Sequence, residues 1–234
     1  MNRGTLIPGI ELRRLNALTT IDPDVRAVFF DAVGTLLYPI VPPPETYAQA
    51  ARRQGITLDP TVVLSRFRSA FRAEEEADRA TGWVTSEMRE VERWRRIVAA
   101  SLPELPDPER GFSELFTHFA RPDAWAVLRD AGAFLTELER RGLILGIGSN
   151  LDARLLNIIA GHDVLKPLAQ RVVVSAAVGH RKPSAKFFAA VIRAAGCSAG
   201  EVVFVGDEAA NDFDGATAAG LRAILTESLL VGLA

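Results

Sequence analysis

The sequence predicts an α/β protein in which one all-helical segment interrupts a parallel sheet. Two observations support this fold. From about residue 122 onward, short apolar runs alternate with helical patterns, as is typical of a parallel sheet covered by helices. Between residues 45 and 120, the pattern is helical throughout. We therefore expect a Rossmann-like parallel sheet core that carries an inserted all-helical domain.

The first part of the chain predicts one strand and then the helical segment. Residues 25–30 form a mostly apolar run that stops at Asp31, as buried parallel strands do. Prolines at 39 and 42–44 then break regular structure. Asp59 and Ser86 stand at helix N-cap positions. The predicted helices are 45–54, a longer one from residue 60, 86–102 and 110–119.

The second part alternates between the two kinds of element. Helices are predicted at 131–140, 151–160, 184–195 and 212–219, and strands at 143–147, 172–175, 202–205 and 223–225. The predicted organisation is an N-terminal extension at 1–24, an α/β core made of 25–41 and 122–234, and a helical domain at 42–121.

Composition and charge exclude several classes of protein. Of 234 residues, 48% are apolar and 24% are charged, so the chain is neither disordered nor fibrous. The net charge of −2 leaves no basic field for nucleic acid. No apolar run has the length of a signal peptide or a membrane span. The single cysteine, Cys197, excludes an internal disulfide. We expect a cytoplasmic protein that binds neither nucleic acid nor membrane.

Polar side chains stand at four successive strand ends. They are Asp31, Ser149 with Asn150, Lys182 and Asp207. In open α/β sheets, ligands bind beyond the carboxyl ends of the strands. A carboxylate can attack phosphorus, and a lysine and a hydroxyl can hold phosphoryl oxygens. The pattern predicts a site for a small phosphorylated molecule with Mg²⁺, whose preferred ligands are oxygen atoms.

Four motifs in this order carry a family resemblance. They are D-x-x-G-T-L from Asp31, S-N from Ser149, K-P from Lys182 and G-D-x-x-x-N-D from Gly206. Together they resemble the haloacid dehalogenase-like (HAD) hydrolase superfamily over residues 25–228. The helical insertion is similar to the cap domain of its helical-cap branch. The finer pattern resembles uncharacterised HAD-domain-containing and rhythmically-expressed-gene-like hydrolases.

The resemblance implies a role for each matched residue. It implies that Asp31 is the nucleophile. The implied Mg²⁺ ligands are Asp31, the backbone carbonyl of Val33, Asp207 and Asp212, with Glu208 as the alternative to Asp212. The implied catalytic residues are Asp31, Ser149 and Lys182, and the implied phosphate-binding residues are Gly34, Thr35, Ser149, Asn150 and Lys182.

The cap offers few candidates for contact with the substrate. Trp83 lies in a predicted loop and is a candidate to face the substrate across the cleft, whereas Trp94 is expected to pack in the cap core. The acidic run Glu74, Glu75, Glu76 and Asp78 offers candidate cap acids for the reaction, but it is expected to be a solvated helix face.

Val33 departs from the pattern that the resemblance implies. Phosphatases of the superfamily usually carry a second aspartate at this position, which protonates the leaving group and then activates water. Valine carries no proton, and general acid–base catalysis contributes roughly 10²–10⁴-fold. We expect weak or narrow phosphatase activity.

Other chemistries of the superfamily tolerate a non-acidic residue there. The 2-haloacid dehalogenases carry tyrosine and work without metal; Val33 and the retained Asp207 disfavour this reading. Phosphonatases use a cap lysine, but the only lysines here are Lys166, Lys182 and Lys186. P-type ATPases are membrane proteins. An enzyme is favoured, a silent phosphate-ligand-binding or scaffold protein is the main alternative, and a dehalogenase is a further one.

Overall fold

Short, buried apolar segments form one five-stranded parallel sheet in a computed structural model that describes residues 22–228. Its strands are β1 (Ala27–Phe30), β4 (Ile144–Ser149), β5 (Val172–Val174), β6 (Val202–Gly206) and β7 (Arg222–Leu225). Their order in the sheet is β5-β4-β1-β6-β7. Because the strands are parallel, their carboxyl ends meet at one edge. The central strand, β1, pairs with β4 on one side and β6 on the other.

Helices cover both faces of the sheet. They are α5 (Ala131–Arg140), α6 (Arg154–Ala160), α7 (Ser175–Val178), α8 (Ala185–Ala195) and α9 (Gly215–Ala218). Leu135 of α5 and Ile158 of α6 pack on one face, and Phe187 and Val191 of α8 pack on the other. The predicted parallel sheet core is confirmed. The helix predicted at 212–219 is shorter than expected, because a π-helical turn occupies Ala209–Asp214 before α9 begins.

The helical segment lies between two short strands, β2 (Leu37–Pro39) and β3 (Trp125–Val127), which pair antiparallel. The sequence does not predict this ribbon, because each strand has only three residues and Pro39 signals a break. Between the strands lie α1 (Pro43–Arg53), α2 (Pro60–Ala80), α3 (Glu87–Ser101) and α4 (Pro108–His118). The chain thus enters and leaves the helical segment through one ribbon.

The predicted N-caps of this segment are confirmed. The Asp59 carboxylate accepts the Thr61 N–H at 2.8 Å, and the Ser86 hydroxyl accepts the Arg89 N–H at 3.1 Å. The four helices pack around a separate apolar core. Its members include Tyr47, Val63, Val98, Leu102, Phe112 and Leu115. Of the predicted N-terminal extension at 1–24, residues 1–21 lie outside the described residues, as do 229–234. In the described part of the chain, no helix combines the length and apolarity needed to cross a bilayer.

The acidic run of α2 does not form a solvated face, so that expectation was wrong. Asp78 is 1% exposed and Glu74 is 8% exposed, and only Glu76 lies in the open. Asp78 accepts from Arg89 at 2.7 Å and from Arg93 of α3. The acidic run can be buried because these arginines pair with its carboxylates, and a buried carboxylate requires a paired charge.

Acidic side chains of α2 and α3 also hold the helical segment, which is the cap, against the sheet core. Arg181 of the core is buried and donates to Glu90 of α3, and it lies 3.4 Å from both Glu75 and Asp78. The backbone joins the two parts as well. The Arg181 N–H donates to the Trp83 carbonyl at 2.9 Å, and the Thr85 N–H donates to the Gly179 carbonyl at 3.0 Å. We call Glu75, Asp78, Glu90, Arg93 and Arg181 the interface ion cluster.

Replacing one member of this cluster should be costly. We expect Asp78→Ala to lower the free energy of unfolding by about 3–5 kcal/mol, because it leaves buried arginines without their partner. Glu76→Ala, two residues away on the same helix and exposed, should change it by less than about 0.5 kcal/mol. Urea unfolding of both variants tests this, and equal midpoints would show that the cluster contributes no stability.

Candidate active site

The four predicted strand-end residues meet at one edge of the sheet. Asp31 follows β1, Ser149 ends β4, Asp207 follows β6, and Lys182 reaches the same point from the loop after α7. The Lys182 ammonium donates to Asp31 Oδ1 and to Asp212 Oδ1, each at 2.6 Å. Lys182 is 2% exposed and Asp212 is 1% exposed. The site therefore rests on a buried lysine held between two carboxylates.

Burial and mutual charge shift the pKa values of these groups. Burial raises the pKa of Asp31 to about 7; the attraction of Lys182 opposes the shift, and the repulsion of Asp212 and Asp207 adds to it. Burial alone would lower the pKa of the Lys182 ammonium, but Asp212 and Asp31 more than offset that and hold it above its usual value. Lys182 therefore stays charged at neutral pH.

Three carboxylates form a candidate metal site. One oxygen from each of Asp31, Asp207 and Asp212 lies within 4.8 Å of the others. An all-oxygen set of this kind fits Mg²⁺, which binds through a few carboxylates and keeps several waters. Burial also raises the pKa of Asp207, which indicates that a nearby cation would stabilise its charged form.

The alternative metal ligand, Glu208, lies outside this grouping. Its side chain instead accepts from the Asn211 amide, and its backbone N–H donates to Asp212 Oδ2 at 3.0 Å. Burial raises the pKa of Glu208. In this arrangement, Asp212 is the third carboxylate of the group and Glu208 helps to hold it in place.

Gly34 and Thr35 contact Asp207 and do not line the cavity that lies between the core and the helical segment. The Thr35 hydroxyl donates to Asp207 Oδ1 at 3.0 Å. Gly34 has φ of +98°, and a Cβ there would lie 2.3 Å from Asp207 Oδ2. Both residues contact Asp207 because β1 and β6 are neighbours and bring residues 34 and 207 together; that they bind phosphate stays a prediction.

Ser149 and Asn150 take different positions at the end of β4. Ser149 lines the cavity, and its hydroxyl has no hydrogen-bond partner among residues 22–228, so it is available to a ligand. Asn150 also lines the cavity, and its amide holds the backbone of Lys182: its oxygen accepts the Lys182 N–H at 2.7 Å, and its nitrogen donates to the Lys182 carbonyl at 3.1 Å. The Lys182–Pro183 peptide bond is cis.

A cavity of about 630 Å³ opens above these residues, between the core and the helical segment. Its floor includes Asp31, Val33 and Lys182, and much of its wall is aromatic. Trp94 packs against the apolar core of the helical segment, as expected, and also lines the cavity. Trp83 does not line it; Trp83 lies at the interface, where its carbonyl accepts the Arg181 N–H and it adopts φ of +66°.

Several cavity residues were not predicted from the sequence. They are Tyr47, Phe67, Phe71, Phe119, Trp125 and Arg154. The available signal was helical spacing, such as the four-residue interval between Phe67 and Phe71, but that spacing is also the mark of an ordinary buried face. Spacing alone therefore does not separate a cavity wall from a core.

Comparisons with known proteins agree with this architecture. Residues 25–220 match the family model described as haloacid dehalogenase-like hydrolase. The chain is 30% identical over 206 residues to haloacid dehalogenase-like hydrolase domain-containing protein 3 of Homo sapiens, covering 86% of this chain and 81% of that protein. The Mus musculus protein of the same name is 29% identical with the same coverage.

Solved structures share the fold. A HAD phosphatase from Thermococcus onnurineus superposes with a TM-score of 0.58 at 23% identity, covering 85% of each chain. L-2-haloacid dehalogenase from Xanthobacter autotrophicus superposes with a TM-score of 0.67 at 23% identity, covering 85% of this chain and 76% of that one. At these identities the likeness establishes the fold and leaves the reaction open, since both chemistries occur on it.

The close approach of Gly34 to Asp207 can be tested with a matched pair of glycine-to-alanine variants. We expect Gly34→Ala to abolish most Asp31-dependent activity, because the new methyl group displaces Asp207. Gly55→Ala is the control: its φ of +83° costs a similar roughly 1–2 kcal/mol of backbone strain, but it has no atom within 4 Å of the added carbon. Steady-state turnover and Tm measured on both variants separate the two effects, and equal losses of turnover would contradict the prediction.

Proposed function

Because the chain belongs to the haloacid dehalogenase-like hydrolases, we propose that it transfers a phosphoryl group through an aspartyl phosphate on Asp31, with Mg²⁺ as cofactor. The observation that carries the proposal is the grouping of three carboxylates around the buried Lys182. It combines a nucleophile, a fixed cation for phosphoryl oxygens and an oxygen set for a divalent metal.

The residues divide the reaction between them. An Asp31 carboxylate oxygen attacks phosphorus, and the bond from phosphorus to the leaving oxygen breaks. The Lys182 ammonium and the Ser149 hydroxyl bind phosphoryl oxygens as charge develops on them. Mg²⁺, held by Asp31, Asp207, Asp212 and the Val33 carbonyl, would offset the repulsion between the anionic nucleophile and the anionic substrate. Water then attacks phosphorus, inorganic phosphate departs, and the Asp31 carboxylate is restored.

Val33 restricts the substrates that the proposed reaction accepts. Its side chain lines the cavity floor next to Asp31 and has no proton to give to a departing oxygen. The leaving group must therefore depart as a stable anion, which an acyl phosphate provides and a simple alkyl phosphate does not. We infer a phosphatase of narrow range that acts on a small phosphorylated molecule.

A dehalogenase is the weaker candidate. A metal-independent site has no need of three grouped carboxylates, since each buried charge is costly without a cation. The proposal also includes a cytoplasmic location, which the single cysteine supports. It assigns no role to nucleic acid or membrane, in keeping with the net charge of −2.

The first test is phosphate release from acetyl phosphate and from a simple alkyl phosphate in the presence of Mg²⁺. We expect turnover of acetyl phosphate by the wild type, and loss of it in Asp31→Asn and after EDTA treatment. Failure of wild type and variant alike to release phosphate would replace the enzyme with a silent phosphate-binding protein. Halide release from a 2-haloacid in EDTA would instead establish the dehalogenase.

A second prediction concerns the missing acid. We expect Val33→Asp to raise alkyl phosphatase activity by roughly 10²-fold or more, because the new carboxyl can protonate the leaving oxygen. Val33→Asn is the matched control, since asparagine has a similar size and polarity but no titratable proton. Equal rates in the two variants would show that the missing proton does not limit turnover.

A further inference from the structure

Six aromatic side chains form one continuous chain of ring contacts along the cavity wall. In order of contact they are Trp125, Phe119, Tyr47, Phe67, Phe71 and Trp94, which we call the aromatic arch. The successive ring centroids lie 5.9, 6.5, 5.5, 6.0 and 6.5 Å apart. Residues from the ribbon, α1, α2, α3 and the end of α4 contribute to it, so that it spans the cap side of the cavity.

The cavity is larger than a phosphate group requires. A volume of about 630 Å³ is in the range of sites that enclose a whole organic ligand, roughly 300–1,000 Å³. The phosphoryl group occupies the floor beside Lys182, so most of the remaining space faces the arch. Aromatic walls favour a flat aromatic body, because offset and edge-to-face ring contacts add to the burial of apolar surface.

Among the described residues, three of the five arginines that line the cavity are already held by carboxylates. Arg93 donates to Glu75 at 2.8 Å, Arg154 donates to Asp152 at 2.7 Å, and Arg181 donates to Glu90. Each of these cavity arginines is therefore already engaged with a carboxylate. A second anionic group on the ligand would have to compete with those carboxylates for these three arginines, whereas Arg68 and Arg72 of α2 also line the cavity.

The leaving-group requirement points to the same ligand. A phenol has a pKa of about 10. An alkanol is a far weaker acid, similar to water with its pKa of about 15.7. A phenolate can thus depart from phosphorus without a proton from residue 33, whereas an alkoxide cannot. The absence of a proton donor at residue 33 thus favours a phenolate leaving group. The aromatic cavity wall independently favours an aromatic body.

From these two observations we propose that the substrate is an aryl phosphate, the phosphomonoester of a phenol with a ring system larger than one benzene ring. This inference rests on the function proposed above. In the first step, Asp31 forms a bond to phosphorus, the bond from phosphorus to the aryl oxygen breaks, and the electron pair leaves on the phenolate, which takes its proton from solvent. Water then attacks the aspartyl phosphate and yields inorganic phosphate.

The experiment compares phenyl phosphate, 2-naphthyl phosphate and 2-naphthylmethyl phosphate, with acetyl phosphate as the reference. We expect kcat/KM for 2-naphthyl phosphate to exceed that for phenyl phosphate by at least about tenfold, because the second ring is buried against the arch. 2-Naphthylmethyl phosphate has the same body but an alkoxide leaving group. It should bind as a competitive inhibitor and turn over at least about 10²-fold more slowly.

Substitutions in the aromatic arch test whether its rings bind the naphthyl body of the substrate. Phe71→Leu and Trp94→Leu should each raise KM for 2-naphthyl phosphate by roughly three- to tenfold. Phe112→Leu is the matched control, since Phe112 packs in the same helical segment without lining the cavity. Binding of 2-naphthyl phosphate to Asp31→Asn, measured by calorimetry, should weaken when Phe71→Leu is added.

The outcomes separate this inference from the proposed function. Suppose that acetyl phosphate is turned over through Asp31 but phenyl and naphthyl esters react alike, or that the arch variants behave like Phe112→Leu. The proposed aryl phosphate substrate is then wrong, and the proposed phosphoryl transfer through Asp31 is retained. The same follows if 2-naphthylmethyl phosphate reacts as fast as 2-naphthyl phosphate. If acetyl phosphate is not turned over either, both proposals fail.

Discussion

The buried ammonium of Lys182 is the interaction on which the site depends. Three carboxylates share a region in which Asp31 is 6% exposed and Asp212 is 1% exposed, so their mutual repulsion is poorly screened by water. Lys182 lies 2.6 Å from two of them. Without this cation, the carboxylates would take up protons, and Asp31 would lose the anionic form that the proposed reaction requires.

The loop that positions Lys182 also joins the core to the helical segment. Asn150 holds the Lys182 backbone from the end of β4, while Arg181, the preceding residue, reaches the acids of α2 and α3. The position of the buried lysine and the position of the helical segment thus depend on adjacent residues. A change at the interface ion cluster therefore affects both the stability of the contact and the shape of the cavity.

The proposed chemistry and the proposed substrate have a common physical basis. An enzyme that lacks a proton donor at residue 33 must obtain its rate from charge stabilisation, from positioning and from a good leaving group. The cavity is well suited to positioning, because its wall provides a large apolar surface that faces the reacting centre. In the proposed reaction, binding of the aromatic body supplies the substrate specificity.

The sequence by itself determined the sheet, the N-caps and the strand-end residues. Apolar runs predict strands, and parallel strands bring Asp31, Ser149 and Asp207 to one edge whatever the details of packing. The family resemblance that these motifs carry is confirmed. The tertiary structure alone decided the contacts across long sequence separations. The acidic run of α2 has the pattern of a solvated helix face until the arginines of α3, and Arg181 at a distance of 106 residues from Glu75, are brought against it. The aromatic arch packs against the core of the helical segment, as its spacing predicts, and only the position of that segment over the sheet makes it a cavity wall as well. In both cases the local pattern specifies which face of a helix is apolar or charged, but not what that face meets.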